Sequence, residues 1–134
     1  QPPSRRFLEM QTIDQANFTC PCCGYLTFRR KLGSYDICPI CFWEDDPIQL
    51  LDPWYWGGAN SPSLVDAQLM YQKIGAMEER FLAHVRGALP SDTKEPAWRL
   101  VEEKDRAFVK LSKKRGRGSE PSLSLWYYWR YRSN

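Results

Sequence analysis

The sequence predicts a small α+β fold, in which a cysteine-stapled β-hairpin is followed by two or three helices and a C-terminal strand. Three observations predict it. All five cysteines lie between residues 20 and 41, apolar residues recur at helical spacing after residue 62, and apolar and polar residues alternate near the C-terminus. With 134 residues and no composition break marking a second core, the chain is expected to form one modest domain. We divide it into an N-terminal arm (1–17), a domain (18–112) and a tail (113–134).

The cysteines form two short pairs. Cys20 and Cys23 make one C-x-x-C turn, and Cys38 and Cys41 make a second, with fourteen residues between them. Each turn presents two sulfurs, so two turns brought face to face supply a tetrahedral metal site. The residues between favour a hairpin, with YLTF (25–28) as the outgoing strand, KLGS (31–34) as the turn and YDI (35–37) as the return. We therefore predict a zinc-ribbon-like hairpin.

Cys22 makes the first pair ambiguous, because three thiols crowd there. Aligning CPCC (20–23) with CPIC (38–41) puts a proline after the first cysteine of each turn and sets Cys22 opposite Ile40. This alignment favours Cys22 as a small apolar filler. The predicted ligands fill all four positions of the site, so the metal is expected to be structural, with zinc as the occupant and iron as the alternative. They are Cys20, Cys23, Cys38 and Cys41.

Other cysteine chemistries fit less well. An odd number of cysteines and the absence of an export signal weigh against a disulfide framework. A redox pair lacks its strand–helix context, and a cysteine protease needs a histidine partner. The single histidine, His84, is expected on a helix surface. Since we also find no paired carboxylates or phosphate-binding loop with convincing context, we predict that the protein is not an enzyme.

An acidic and aromatic segment follows the second turn. Residues 32–72 contain six acidic residues and no lysine or arginine. One interpretation is that the aromatic residues of DPWYWGGAN (52–60) cover the cysteine hairpin as a lid. The other is a recognition surface for a basic partner protein. The candidate partner-binding residues are Trp43, Glu44, Asp45, Asp46, Trp54 and Trp56.

The next segments are predicted to be helical. Ser63 and Asp66 have the spacing of a capping box, and Gly75 can end the helix that they begin. Apolar spacing predicts a second helix within 76–89 and a third within 96–111. Their apolar stripes are interpreted as core, without a separate function.

The C-terminal segment changes character. KKRGRGS (113–119) is typical of a basic loop, and SLSLWYYWRYRSN (122–134) alternates as a strand does. Arginines among aromatic rings also suit stacking on single-stranded bases, which makes nucleic-acid binding through 113–134 the alternative function. Residues 99–134 carry a net charge of +6 and residues 32–72 one of −6. This polarised pattern is a weaker fit to phosphate backbones than a uniformly basic one.

Composition also predicts where the protein acts. No apolar run approaches eighteen residues, so no membrane span is expected. QPPSRRFLEM (1–10) lacks the apolar stretch of a secretory signal. A cytoplasmic location is therefore expected.

Four segments resemble the bacterial cysteine-rich CPCC family, over about residues 18–86: CPCCGYLTF, GSYDICPICFWEDDP, GGANSPSLVDAQ and YQKIGAMEERFLAHVR. The resemblance implies a metal-binding protein with a partner-binding or immunity role, because members are associated with toxin and immunity genes. Both ends of the chain lie outside it. The paired turns also resemble rubredoxin knuckles, although the spacer is much shorter. We predict a non-enzymatic structural-zinc protein that binds another protein, as an immunity-type protein or a complex subunit.

Overall fold

The computed structural model describes residues 18–114 and 127–130. The predicted α+β fold is confirmed, since a two-stranded antiparallel hairpin precedes three helices. Three short 3₁₀ helices, Glu79–Phe81, Glu103–Asp105 and Tyr128–Arg130, lie between or after these elements. The strands and α-helices are β1 (Phe18–Thr19), β2 (Leu26–Phe28), α1 (Pro47–Leu51), α2 (Leu64–Ile74) and α3 (Arg106–Lys114).

The strand pairing differs from the predicted one. β2 pairs with β1, Phe18 opposite Phe28, so the first cysteine turn closes its own hairpin. The expected return strand, YDI (35–37), instead contributes Ile37 to an isolated bridge with Glu44, across the second cysteine turn. The prediction of one hairpin between the two turns is therefore wrong. The reason is that a C-x-x-C turn reverses the chain tightly enough to pair the residues on its own two sides.

Two helices have well-defined caps. The bounds of α2 agree with the prediction. The Ser63 side chain accepts a hydrogen bond from Asp66 N, which is one half of the predicted capping box, and Gly75 ends the helix at φ 90°. α1 was not predicted. It begins after Asp46, whose carboxylate accepts a hydrogen bond from Ile48 N, with Pro47 at the first helical position. Asp46 therefore acts as a helix cap.

The second predicted helix, over 76–89, is reduced to the 3₁₀ helix Glu79–Phe81. Backbone N–H groups here bond to the second cysteine turn: Met77 N donates to Cys41 O at 2.8 Å and Arg86 N to Pro39 O at 3.1 Å. These bonds take the place of the i to i−4 bonds of a helix. The third predicted helix, over 96–111, starts late, with Glu103–Asp105 leading into α3.

The core surrounds the cysteines and includes the C-terminal residues that are described. Tyr127, Tyr128 and Trp129 are buried in it. Tyr127 and β1 exchange two hydrogen bonds, from Thr19 N to the Tyr127 hydroxyl at 2.9 Å and from that hydroxyl to Thr19 O at 3.0 Å. Tyr128–Arg130 is a 3₁₀ helix, so the predicted strand is wrong there, and the rest of 113–134 beyond α3 lies outside the described residues.

The helices of the described ranges are too short or too polar to cross a membrane.

Candidate metal centre

Four cysteine sulfurs converge at the centre of the molecule. The Sγ atoms of the four predicted ligands all lie within 4.8 Å of one another, with Cys20–Cys41 at 3.5 Å and Cys23–Cys38 at 3.7 Å. A tetrahedral ion with metal–sulfur bonds of about 2.3 Å places its sulfurs roughly 3.8 Å apart. The four residues are fully buried, and all five cysteines are free rather than disulfide-bonded. The cluster therefore fits a tetrahedral metal ion held by sulfur alone.

Two turns with the same hydrogen bonds present these sulfurs. In the first knuckle (20–25), Cys20 N donates to Tyr25 O at 2.9 Å and Gly24 N to Cys20 O at 2.8 Å. In the second knuckle (38–43), Cys38 N donates to Trp43 O at 2.9 Å and Phe42 N to Cys38 O at 2.8 Å. Cys22 and Ile40 occupy the matching third positions, and both are fully buried.

The fifth position of each knuckle is left-handed. Gly24 has φ 84° and Phe42 has φ 74°. Two factors disfavour a side chain at Gly24: the left-handed backbone angle, and the position that a Cβ would take, 2.6 Å from Trp98. At Phe42 the ring packs against Phe81, with 4.4 Å between ring centroids.

Burial sets the electrostatics of the cluster. It raises the pKa of the Cys20 and Cys41 thiols well above the ordinary value, and that of Cys23 as well. The pKa of Cys38 is instead lowered. Burial by itself would raise it, but hydrogen bonds from the other three thiols and from the Thr27 hydroxyl at 3.2 Å hold this pKa well below the usual range. Four thiolates together need a cation between them, which is what a metal ion supplies.

Side chains from distant segments bind the backbone of the first knuckle. Pro21 O accepts hydrogen bonds from Gln68 Nε2 on α2 and from Trp98 Nε1, both at 2.9 Å. Gln68 also donates to the Tyr128 hydroxyl at 2.8 Å and accepts from Val101 N at 2.9 Å. Sequence reasoning missed Gln68, although a buried polar residue on the apolar stripe of α2 is a usable signal. For Trp98 the sequence offers no such signal.

The candidate partner-binding residues divide into a buried and a surface group. Trp43, Asp45 and Asp46 are at most 3% exposed, which corrects their interpretation as surface residues. Asp45 Oδ2 accepts hydrogen bonds from Gly33 N and from the Ser34 backbone and hydroxyl, while its Oδ1 and Trp43 Nε1 have no partner in the described part of the chain. Burial raises the pKa of Asp45 despite these donors. Asp45 therefore fixes the loop that contains Gly33 and Ser34.

The other three lie nearer the surface. Glu44 is half-buried and exchanges backbone hydrogen bonds with the Asn60 side chain at 2.9 and 2.8 Å. Trp54 is half-buried under the Arg106 guanidinium, 4.2 Å from the ring centroid. Trp56 is 61% exposed. Of the six candidates, Trp56 alone presents a large apolar side chain to solvent.

Trp56 borders an apolar groove of about 490 Å³. Leu69 and Met70 on α2 form one side of it and are 55% and 36% exposed. Sequence reasoning assigned α2 to the core and did not predict this groove. The remaining lining residues are Ser61, Pro62, Asp66, Lys73, Met77 and Glu78.

The described C-terminal residues do not offer free rings for base stacking. Tyr127, Tyr128 and Trp129 are at most 8% exposed. Glu95 receives hydrogen bonds from Trp129 Nε1 and Arg130, and this ties the segment to the body of the protein.

Comparison with known proteins gives one family match. The model of the family described as Cysteine-rich CPCC matches residues 18–92, which include both knuckles, α1 and α2. No curated protein matches the sequence.

Proposed function

The chain belongs to the cysteine-rich CPCC family, and we propose that it is a non-enzymatic protein in which a structural zinc ion stabilises a surface that binds another protein. The observation that carries the proposal is the contrast between a sulfur cluster that is completely buried and an apolar groove that is open. Four protein ligands leave a tetrahedral ion no open position for water or substrate. The metal ion therefore stabilises the fold and does not bind a substrate.

The contacts of the knuckles explain why the metal matters for folding. Residues far apart in the sequence donate hydrogen bonds to backbone carbonyls of the knuckles. They include Gln68, Met77 and Glu95. A metal ion that joins the two knuckles holds all of these contacts in register. Structural zinc in small domains supplies about 10–16 kcal/mol of apparent binding free energy, which the fold receives only when the site forms.

Zinc is distinguished from iron by two direct measurements on the purified protein. Elemental analysis is expected to give one zinc ion per chain, and the preparation is expected to be colourless. Visible thiolate-to-iron absorption would replace zinc by iron in the proposal. If the chain is fully folded without either metal, the proposed structural role of the metal is wrong.

The groove supports protein binding because of the residues that it exposes. Trp56, Leu69 and Met70 are large apolar side chains within one concave surface, with charged residues at its border. Tryptophan is strongly enriched among the residues that dominate protein–protein binding energies, and an apolar patch with a polar rim is typical of such interfaces. Free buried thiols are consistent with a cytoplasmic location, and the family association is consistent with an immunity-type or complex-subunit role.

A pull-down from the native lysate tests this function, using the metal-loaded chain with and without nuclease. We expect a stoichiometric protein partner whose recovery survives nuclease and falls at least about tenfold in Trp56→Ala. Ile48→Ala, at a residue 57% exposed outside the groove, is the matched control and is expected to retain the partner. Recovery that collapses with nuclease would favour nucleic-acid binding through 113–134. An equal loss of partner recovery in both variants would show that the groove is not the binding surface.

A further inference from the structure

The outward side of α2 carries an apolar pair between opposite charges. Asp66, Leu69, Met70 and Lys73 are spaced i, i+3, i+4 and i+7, so they lie on one face of the helix. The opposite face, with Leu64, Ala67 and Gln68, is buried against the core. The outward face is therefore left out of the core.

The two charges on this stripe, formed by Asp66, Leu69, Met70 and Lys73, are placed symmetrically about its centre. Asp66 and Lys73 lie at equal distances, about 5 Å along the axis, on either side of the midpoint between Leu69 and Met70. Within the described residues neither side chain forms a salt bridge. A second helix of the same sequence, running antiparallel, places its lysine opposite Asp66 and its aspartate opposite Lys73.

We propose that the groove is occupied by a second copy of this chain, in a two-fold dimer whose α2 helices pack antiparallel through Leu69 and Met70. A two-fold interface must be self-complementary, because each residue pair occurs twice with the roles exchanged. The stripe meets this requirement in charge and in apolar character. The proposal rests on the proposed function of the groove as a protein-binding surface and names its occupant.

The charges favour a second copy over other occupants. A uniformly basic partner finds Lys73 opposing it, and a nucleic acid meets the carboxylate of Asp66. Glu78 also lines the groove, but its carboxylate is already paired with Arg80. Trp56 and Pro62 line the same groove and give a dimer the large apolar contact that charge pairs alone do not supply.

Charge exchange tests the dimer. Sedimentation velocity of the full-length, metal-loaded protein over a range of concentrations is expected to show a monomer–dimer equilibrium. Asp66→Lys or Lys73→Asp alone sets like charges opposite each other at both contacts and is expected to raise the dissociation constant at least about tenfold. The double variant Asp66→Lys/Lys73→Asp restores opposite charges and is expected to dimerise again. An equimolar mixture of the two single variants is expected to form a heterodimer.

Controls separate this result from a loss of folding. Metal content and far-ultraviolet circular dichroism of each variant verify that the fold is intact, and Lys110→Glu, at an exposed residue on α3, is expected to dimerise as the parent does. A parent chain that is monomeric at all concentrations overturns the inference. So does a dimer that ignores the single charge reversals, or a double variant that stays monomeric. If the parent is monomeric while Trp56→Ala still loses a different protein partner, the proposed function stands and this inference fails.

Discussion

The two knuckles make the same hydrogen bonds, yet different residues meet the same backbone requirement. The left-handed position is Gly24 in the first knuckle and Phe42 in the second. Left-handed backbone costs a residue with a side chain roughly 1–2 kcal/mol, and glycine nothing comparable. The metal-binding turn therefore fixes the backbone angle, while the surroundings decide whether a side chain is tolerated there.

Different aromatic side chains cover the two knuckles. Trp98 reaches the first knuckle from a distant loop, lies against Gly24 and donates a hydrogen bond to Pro21 O. The second knuckle covers itself, because the Phe42 ring extends onto Phe81 and lies 5.5 Å from His84, centroid to centroid. Aromatic packing of this kind offsets the backbone cost.

Loss of a ligand is expected to break both knuckles together. Cys38→Ser removes one sulfur from a four-sulfur site, so the metal and the folded structure should be lost at once, an effect of several kcal/mol. Zinc content and circular dichroism measure both. Cys22→Ala is the matched control, since Cys22 is buried but outside the four-sulfur cluster, and is expected to keep the metal. The reverse outcome would show that the ligand assignment is wrong.

Crowding at the first knuckle is the next largest effect. Gly24→Ala adds a Cβ that meets Trp98 and forces a left-handed alanine, and we expect the free energy of unfolding to fall by about 3 kcal/mol. Urea unfolding at a fixed excess of zinc measures it. In a Trp98→Ala background the same change is expected to cost only the backbone part, about 1–2 kcal/mol. An equal cost in the two backgrounds would contradict the steric role of Trp98.

The smallest effect is a reversed order of stability at the second knuckle. Phe42→Ala and Phe42→Gly both lose the ring contacts, but only glycine relieves the left-handed backbone. We therefore expect the glycine variant to be more stable than the alanine variant by about 1 kcal/mol, whereas glycine is the less stable residue at ordinary positions. The same urea assay compares them. Alanine equal to or above glycine would show that the knuckle relaxes its backbone when the ring is removed.

Local sequence signals were sufficient for several features. The spacing of CPCC and CPIC, with Cys22 opposite Ile40, predicted the four sulfurs that the structure brings together. Ser63 and Gly75 predicted the ends of α2. In each case the information is contained in a few consecutive residues, because turns and helix caps are formed by contacts between neighbours.

Features that depend on long-range contacts were not predictable in the same way. The acidic run after the second knuckle has the composition of a surface, but Asp45 binds the backbone of Ser34 and Asp46 caps α1, so both are buried. The apolar pattern at 76–89 is typical of a helix, but its N–H groups are drawn to the second knuckle.

Local signals in the sequence predict the cysteine cluster, the α+β class and the boundaries of α2. Long-range packing sets which strand pairs with β2, places Trp98 rather than a local residue over the first knuckle, and leaves Leu69 and Met70 of α2 exposed. The two sets of features differ in the range of the contacts that form them. Hydrogen bonds within a turn are set by adjacent residues, whereas burial depends on which distant segments compete for the same backbone groups and the same apolar surface.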